Sequence, residues 1–402
     1  SYYFERIGFN WKGDHPFKGY ESASEPFKAA IDKAISSGKI KTDALKLWYL
    51  DAKAYRYTVN YGKDLSLYSG TEQIGCTLGK TSSGVMLLMD GVSDFRHLGY
   101  EILRGNGSKG YQVIGFTYGR SFTDTSPAEG ETYKVRAYDR SLGCSALSSA
   151  EEILGAVARA DGQDYQTLAE AFAAVPAGGT VYLLADAFAA GIAIDKDVTL
   201  TALSSDVKVY LSAPSAMFTV QSGASLTIEG DAHALTFDGL EVSKNEALFV
   251  SNGTLSIRGN VILENSVNGS ANGGAIRVQS GRLLLGGGVI VRNNRSSNGG
   301  ALVSQAGANA TFQIDDAVFS DNAASGNGGA IYANCVVNLS GAVFENNAAA
   351  NGGAVCINGG GILTVSGCAF CGNTASSQGG ALRLDGKTSF ADERTSFTGN
   401  KA

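Results

Sequence analysis

The stretch NGGAIYANCVVNLSGAVFENNAAANGGAV (residues 327–355) decides the fold, because it holds one complete repeat and the start of the next. NGGA or QGGA recurs 24 to 29 residues apart, beginning at Asn272, Asn298, Asn327, Asn351 and Gln378. Between these tetrads lie short runs with apolar residues at alternate positions, separated by Gly, Asn and Ser, which indicate strands and turns. Such a repeat predicts a right-handed parallel β-helix whose coils stack about 4.8 Å apart.

A second motif runs in phase with the tetrads and places an asparagine three residues after Phe or Ile. Stacked coils would bring these asparagines into one ladder, predicted to consist of Asn293, Asn322, Asn347, Asn373 and Asn400. An amphipathic helix with Leu168, Phe172 and Val175 on one face is expected to cap the open first coil. The β-helix with this cap is assigned to residues 149–402, and the repeat is expected to continue beyond Ala402.

The composition agrees with a glycine-punctuated β protein and excludes several other classes. The chain has 53 Gly but 5 Pro in 402 residues, and 44% of its residues are hydrophobic. That content excludes a disordered tail, and the absence of a three-residue period excludes collagen. A net charge of −6 offers no basic surface for nucleic acid, and no apolar run is long enough to span a bilayer. No signal peptide precedes Ser1, so we expect a processed chain or part of a longer one.

The first part of the chain predicts two further regions. Residues 1–66 form a helical segment, with helices capped at Ser24 and Thr42, and this segment is either a small module or the end of an upstream domain. Residues 67–148 contain short strands separated by turns, which predict a β-sandwich of fibronectin III or immunoglobulin type. Cys76 and Cys144 lie near the two ends of this sandwich, and two free thiols are slightly favoured over a disulfide.

Two family resemblances add to this interpretation. The GGA[ILV] and FxxN repeats of residues 260–402 resemble those of chlamydial polymorphic outer-membrane proteins and other bacterial surface β-helices, which implies an adhesin-type passenger. The segments ERIGFNWKGD, LGYEILRG and YKVRAYDR, within residues 1–148, resemble the region downstream of the catalytic domain in enhancin-like, mucin-degrading zinc metallopeptidases. That second resemblance implies a non-catalytic portion of such a protease, since no HExxH motif is present.

Residue types that carry catalysis or bind metals are sparse in the chain. The three histidines are not spaced as zinc ligands, and no metal or cofactor is expected. Cys368 and Cys371 form a CxxC without a second pair, so incidental thiols are the favoured interpretation. A polysaccharide lyase or hydrolase would need clustered carboxylates, for which the adjacent Asp315 and Asp316 are the main candidates. Neighbouring side chains of a strand point to opposite faces, so this pair need not converge.

The outward residue of each GGA strand gives the candidate binding surface. This row is predicted to contain Thr219, Phe249, Arg277, Val303, Tyr332, Cys356 and Arg383, with Phe249, Arg277, Val303, Tyr332 and Arg383 as ligand-binding candidates. Aromatic and arginine side chains are enriched at recognition surfaces, although a covering loop or the neighbouring sandwich is the favoured explanation of the row. The expected function is a non-enzymatic, secreted or cell-surface bacterial module that binds host glycans, glycoproteins or mucin. A glycan-active β-helix enzyme and a rigid spacer for an upstream metallopeptidase are the alternatives.

Overall fold

The computed structural model describes residues 67–402 apart from residues 107, 109, 141, 142, 152–154, 305–308 and 393, together with residues 29, 33, 36 and 37. Residues 29, 33 and 36 are helical, and the remainder of the helices predicted at Ser24 and Thr42 lies outside the described residues. The chain divides into two compact units, residues 1–153 and residues 154–402. No helix within the described ranges is long and apolar enough to cross a membrane.

The first unit contains two antiparallel sheets of three strands each. Its strands are β1 (Cys76–Thr81), β2 (Gly84–Met89), β3 (His97–Asn106), β4 (Gly110–Thr117), β5 (Ser121–Asp124) and β6 (Thr132–Asp139). One sheet has the order β1-β2-β5 and the other the order β4-β3-β6. The segment after β6 also pairs with it, since Ser145 N donates to Ala137 O (2.9 Å) and Ser148 N donates to Val135 O (2.8 Å).

Both sheets of the first unit contribute to a single hydrophobic core. Leu87 and Met89 of β2 are buried with Ile102 of β3 and Val135 of β6. Alternate residues of a strand point to the same face, which places one side of each sheet in this core. Cys76 and Cys144 are both free, as the sequence favoured, and burial raises the pKa of the Cys76 thiol to about 12.

The second unit opens with a hairpin and a short helix that cover the first coil. The hairpin strands are Ala158–Ala160 and Gln163–Tyr165, and the helix is Leu168–Ala174. Thr167 caps the helix through a reciprocal pair of hydrogen bonds with Glu170. The predicted apolar face is buried, and the Phe172 ring lies 5.4 Å from the ring of Phe218 in the coils.

The coils that follow form a parallel β-helix, as the repeat predicted. The strands that follow the five GGA tripeptides form one eight-stranded sheet, the GGA face, together with the equivalent strands of three earlier coils: Ile192–Ile194, Phe218–Val220, Phe249–Ser251, Ile276–Val278, Leu302–Ser304, Ile331–Ala333, Val355–Ile357 and Leu382–Leu384. A six-stranded sheet, the short face, consists of Ser243–Lys244, Val267–Asn268, Arg295–Ser296, Ala323–Ala324, Ala348–Asn351 and Thr374–Gln378.

The largest sheet supplies the remaining strands of the second unit and also includes the hairpin strands. Its other strands, in chain order, are Gly179–Leu183, Ala187–Ala189, Val198–Ala202, Val207–Leu211, Ser225–Asp238, Thr254–Glu264, Gly281–Gly286, Ile290–Arg292, Ala310–Asp315, Val318–Ser320, Val336–Ser340, Val343–Glu345, Ile362–Ser366, Ala369–Cys371, Lys387–Phe390 and Ser396–Thr398. Pairing between successive coils is in register, which stacks equivalent side chains. The rings of Phe319, Phe344, Phe370 and Phe397 therefore stack in a column with centroids 4.9 Å apart.

The asparagine ladder is present, but its first member is Asn294 and the prediction of Asn293 was wrong. The strand register aligns Val291, rather than Ile290, with Phe319, so the asparagine three residues later is Asn294. Asn293 is exposed and has a left-handed backbone (φ 55°), as do Asp321 and Asn346 in later coils. The other predicted members are confirmed by side-chain hydrogen bonds of 2.9–3.1 Å from each coil to the next: Asn294, Asn322, Asn347, Asn373 and Asn400.

Candidate functional site

The outward row of the GGA face is present, with one correction. The strand register aligns Thr219, Val250, Arg277, Val303, Tyr332, Cys356 and Arg383. Phe249 is not in this row: its side chain is fully buried and its ring stacks on that of Phe218. The segment NEALFVS lacks the double glycine that marks the register in later coils, and the true register differs by one residue. Phe249 is therefore a core residue and is no longer a candidate for binding.

Arginines occupy the first and the last position of the final five coils of the row. Arg277 and Arg383 are separated by four coil spacings, about 19 Å. Each is tied to a carboxylate: Arg277 Nη2 lies 2.5 Å from Glu246 Oε2, and Arg383 Nη2 lies 2.9 Å from Asp385 Oδ2. These ion pairs hold the guanidinium groups in place and offset much of their positive charge.

Tyr332 lies midway between the two arginines of the row. Val303 and Cys356, its neighbours in the adjacent coils, are 2% exposed, whereas Tyr332 is partly exposed. Burial is the main cause that raises the pKa of Tyr332, and the nearby Cys356 thiol acts in the same direction. Its hydroxyl makes no hydrogen bond to any residue that the structure describes. The ring therefore presents an aromatic surface with an unused donor and acceptor.

A row of amides that sequence reasoning missed runs beside the outward row. It occurs two residues after the outward position, at Asn252, Gln279, Asn334 and Asn358, with Asp385 in the last coil. These four amide side chains are partly exposed and have no hydrogen-bond partner among the described residues. The recurrence of Asn or Gln two residues after the outward position is visible in the sequence.

The other residues that the sequence offered as catalytic or metal-binding candidates have structural roles. Asp315 accepts hydrogen bonds from Gln313 Nε2 (2.9 and 3.1 Å), and Asp316 takes a left-handed turn conformation (φ 51°). Burial raises the pKa of the Cys368 thiol, opposite to what a metal-binding thiolate needs. Within the part of the chain that the structure describes, no group of His, Cys, Asp or Glu side chains could hold a metal ion.

The comparison with family models supports the resemblance seen in the repeats. A model described as the Chlamydia polymorphic membrane protein (Chlamydia_PMP) repeat matches residues 316–334 and 367–384. Each matched segment runs from the FxxN motif or its preceding turn to a GGA strand. The repeats are thus similar to those of a bacterial surface-protein family, as predicted from the GGA and FxxN motifs. The resemblance of residues 1–148 to enhancin-like proteins stays a prediction.

Among solved structures, several pectin-degrading enzymes are similar to the chain. Pectate lyase Pel3 from Pectobacterium carotovorum is 13% identical over 81% of this chain and 100% of its own, with a TM-score of 0.25. Pectate lyase PelI from Erwinia chrysanthemi in complex with tetragalacturonic acid is 13% identical over 82% and 99%, with a TM-score of 0.23. A family 28 exopolygalacturonase from Yersinia enterocolitica is 8% identical over 82% and 96%, with a TM-score of 0.22. No curated protein matches the chain.

Proposed function

We propose that this chain is a non-enzymatic ligand-binding part of a secreted or cell-surface bacterial protein, and that its GGA face binds host glycans or glycoproteins. The observation that carries the proposal is the pairing of Tyr332 with the free amides of Asn334 and Asn358. Amides both donate and accept hydrogen bonds, as sugar hydroxyls do, and an aromatic ring packs against the apolar face of a sugar.

The parallel coils explain why such a surface would suit an extended ligand. Coil stacking repeats the same outward position every ~4.8 Å, and the hydrogen-bonded strands keep these positions rigid before binding. A rigid surface loses little conformational entropy when a ligand is bound, which favours affinity. The match of the repeats to a polymorphic membrane protein repeat supports the surface location.

Binding to mucin O-glycans tests the proposal directly. Glycans released from gastric mucin are printed on an array and probed with the natural chain and with Tyr332→Ala. We expect the natural chain to bind a subset of these glycans and the Tyr332→Ala variant to bind them at least tenfold more weakly, because the only aromatic ring in the outward row among the described residues is lost.

Tyr182→Ala is the control, since Tyr182 is an exposed tyrosine that lies outside the GGA face. It should bind as the natural chain does. Equal binding by the natural chain and Tyr332→Ala would overturn the assignment of the site, and no binding to any printed glycan would favour the spacer function. Release of reducing ends from the same glycans would instead establish an enzyme.

The first unit is proposed to be a fibronectin III type sandwich. The order β1-β2-β5 in one sheet and β4-β3-β6 in the other, with a further segment beside β6, agrees with such a domain. The shared core of the two sheets supports the same assignment. Such a domain would act as a structural module next to the β-helix in the sequence.

A further inference from the structure

A buried amine and a buried carboxamide lie next to each other inside the first coils of the short face. Lys244 and Asn268 are direct partners of two adjacent parallel strands, and their side chains are 3% and 1% exposed. The register places Ser296, Ala324, Ala349 and Ala375 at the same position of the later coils. This interior column therefore holds small side chains everywhere except at its first two described members.

The two side chains differ in how far their polar atoms are hydrogen-bonded. Lys244 Nζ donates to Ser266 Oγ, which in turn donates to Gly274 O (2.6 Å). Asn268 Nδ2 donates to Asn272 O (3.3 Å) and Gly273 O (2.9 Å), whereas Asn268 Oδ1 is buried without a partner among the described residues. The amine, the hydroxyl and the amide thus lie in one buried polar cluster.

We propose that Lys244 and Asn268 join in an intramolecular isopeptide bond that links two consecutive coils. The neutral amine of Lys244 attacks Cγ of Asn268, the Nζ–Cγ bond forms, and the Cγ–Nδ2 bond breaks. One proton moves from Nζ to Nδ2, and ammonia leaves. The reaction consumes no oxidant, reductant or cofactor.

Two physical features favour this reaction inside the fold. Burial lowers the pKa of Lys244 to about 8, so the uncharged, nucleophilic amine is accessible near neutral pH. An ammonium buried without a carboxylate in hydrogen-bonding contact is costly, and its conversion to an amide removes that cost. The carbonyl groups of Asn272 and Gly273 already hold Nδ2, the atom that leaves, and they can accept the hydrogens of the departing ammonia.

High-resolution mass spectrometry of the purified natural chain tests the proposal. The intact mass is expected to be lower than the sequence mass by one ammonia molecule. Trypsin does not cleave after an acylated lysine, so the digest should contain a branched peptide in which residues 209–258 are joined to residues 259–277. Lys244→Met and Asn268→Ala should each give the full sequence mass and linear peptides.

Asn268 precedes Gly269, so a cyclic imide at this site would also release ammonia. The branched peptide separates the two products, because the imide leaves Lys244 free for cleavage. Gly269 N donates a hydrogen bond to Lys244 O (2.9 Å). This bond disfavours attack of Gly269 N on the side chain of Asn268. Linear peptides that end at Lys244, with or without loss of ammonia from the 259–277 peptide, would overturn the proposal.

Discussion

At the residue scale, the buried asparagines show why one side chain recurs in five successive coils. Asn347 Nδ2 donates to Phe319 O (2.9 Å) and to Asn373 Oδ1 (3.0 Å), and its Oδ1 accepts from the backbone and side chain of Asn322 (3.1 and 3.0 Å). The amides of Asn322, Asn347 and Asn373 thus each use both donors and both acceptor positions. An aspartate at this position would have no donor for the backbone carbonyl group, such as Phe319 O, and an alanine would leave all four hydrogen-bond partners of the amide unpaired. Asparagine therefore fits the position best.

The corrected start of the ladder gives a prediction that separates two adjacent asparagines. Asn294→Ala removes the acceptor of Ser266 N and the donor to Leu263 O, both buried, and should lower the free energy of unfolding by about 2–4 kcal/mol. Asn293→Gly should change it by less than about 0.5 kcal/mol, because the exposed residue keeps its left-handed backbone. Urea denaturation measures both, and equal effects would contradict the assigned register.

The carboxylate of Asp392 predicts an acid-dependent contribution in the last coil. Arg394, Gly367 N and Ser366 Oγ stabilise its charged form and lower its pKa to about 2 from an ordinary value of 3.8. A lowered folded-state pKa stabilises the fold above about pH 4, and that contribution is lost as the pH falls towards 2. Asp392→Asn should therefore lower the thermal midpoint modestly at pH 7 and leave it unchanged near pH 2. A difference that stays constant over this range would contradict the proposed charge interaction.

At the element scale, the double glycine of the NGGA turn is set by the close approach of coils. A Cβ on Gly329 would lie 2.0 Å from Gly353 O and 2.6 Å from Ala348 N, which are backbone atoms that cannot move aside. The preceding Gly328 has a left-handed backbone (φ 64°), which a side chain disfavours. A Cβ on Gly328 would also lie 2.0 Å from Ile331 O. The second glycine of the tetrad is thus required by contact, and the first by both contact and conformation.

Substitution of the second glycine tests this explanation. Gly329→Ala should lower the free energy of unfolding by about 3 kcal/mol, since the clash must separate two stacked coils. Gly359→Ala is the matched control, because a Cβ there meets no atom closer than 3.9 Å. Hydrogen exchange of the purified variants should show faster exchange around the altered turn in Gly329→Ala alone. Similar exchange in both variants would show that the close approach does not limit this turn.

The same turns explain which parts of the sequence analysis succeeded. Where NGGA marks a coil, as at Asn327 and Asn351, the outward residues Tyr332 and Cys356 followed correctly. Where the tetrad is absent, at Phe249, the register was wrong by one residue and a core side chain was taken for a surface one. The error at Asn293 has a similar origin, because two asparagines are consecutive. The FxxN motif can be matched there either by Ile290 with Asn293 or by Val291 with Asn294.

At the scale of the whole molecule, repetition made the β-helix predictable and left the binding surface only partly so. In-phase motifs over many coils fix the stacking, since a shift of one residue in the strand register would move a whole apolar face to the outside. The exposure of an outward residue depends instead on its neighbours in adjacent coils. Val303 and Cys356 are buried although their position in the strand is outward. Sequence alone could not distinguish these residues from Tyr332.

The central claim, that the GGA face is the ligand-binding surface, is tested most directly by hydrogen–deuterium exchange with and without the mucin O-glycan that binds best on the array. The account predicts slower exchange in peptides that cover residues 276–279, 331–334 and 355–358, with unchanged exchange in the strands of the largest sheet and in the first unit. Slower exchange confined to the first unit or to the largest sheet, with the GGA face unaffected, would contradict it.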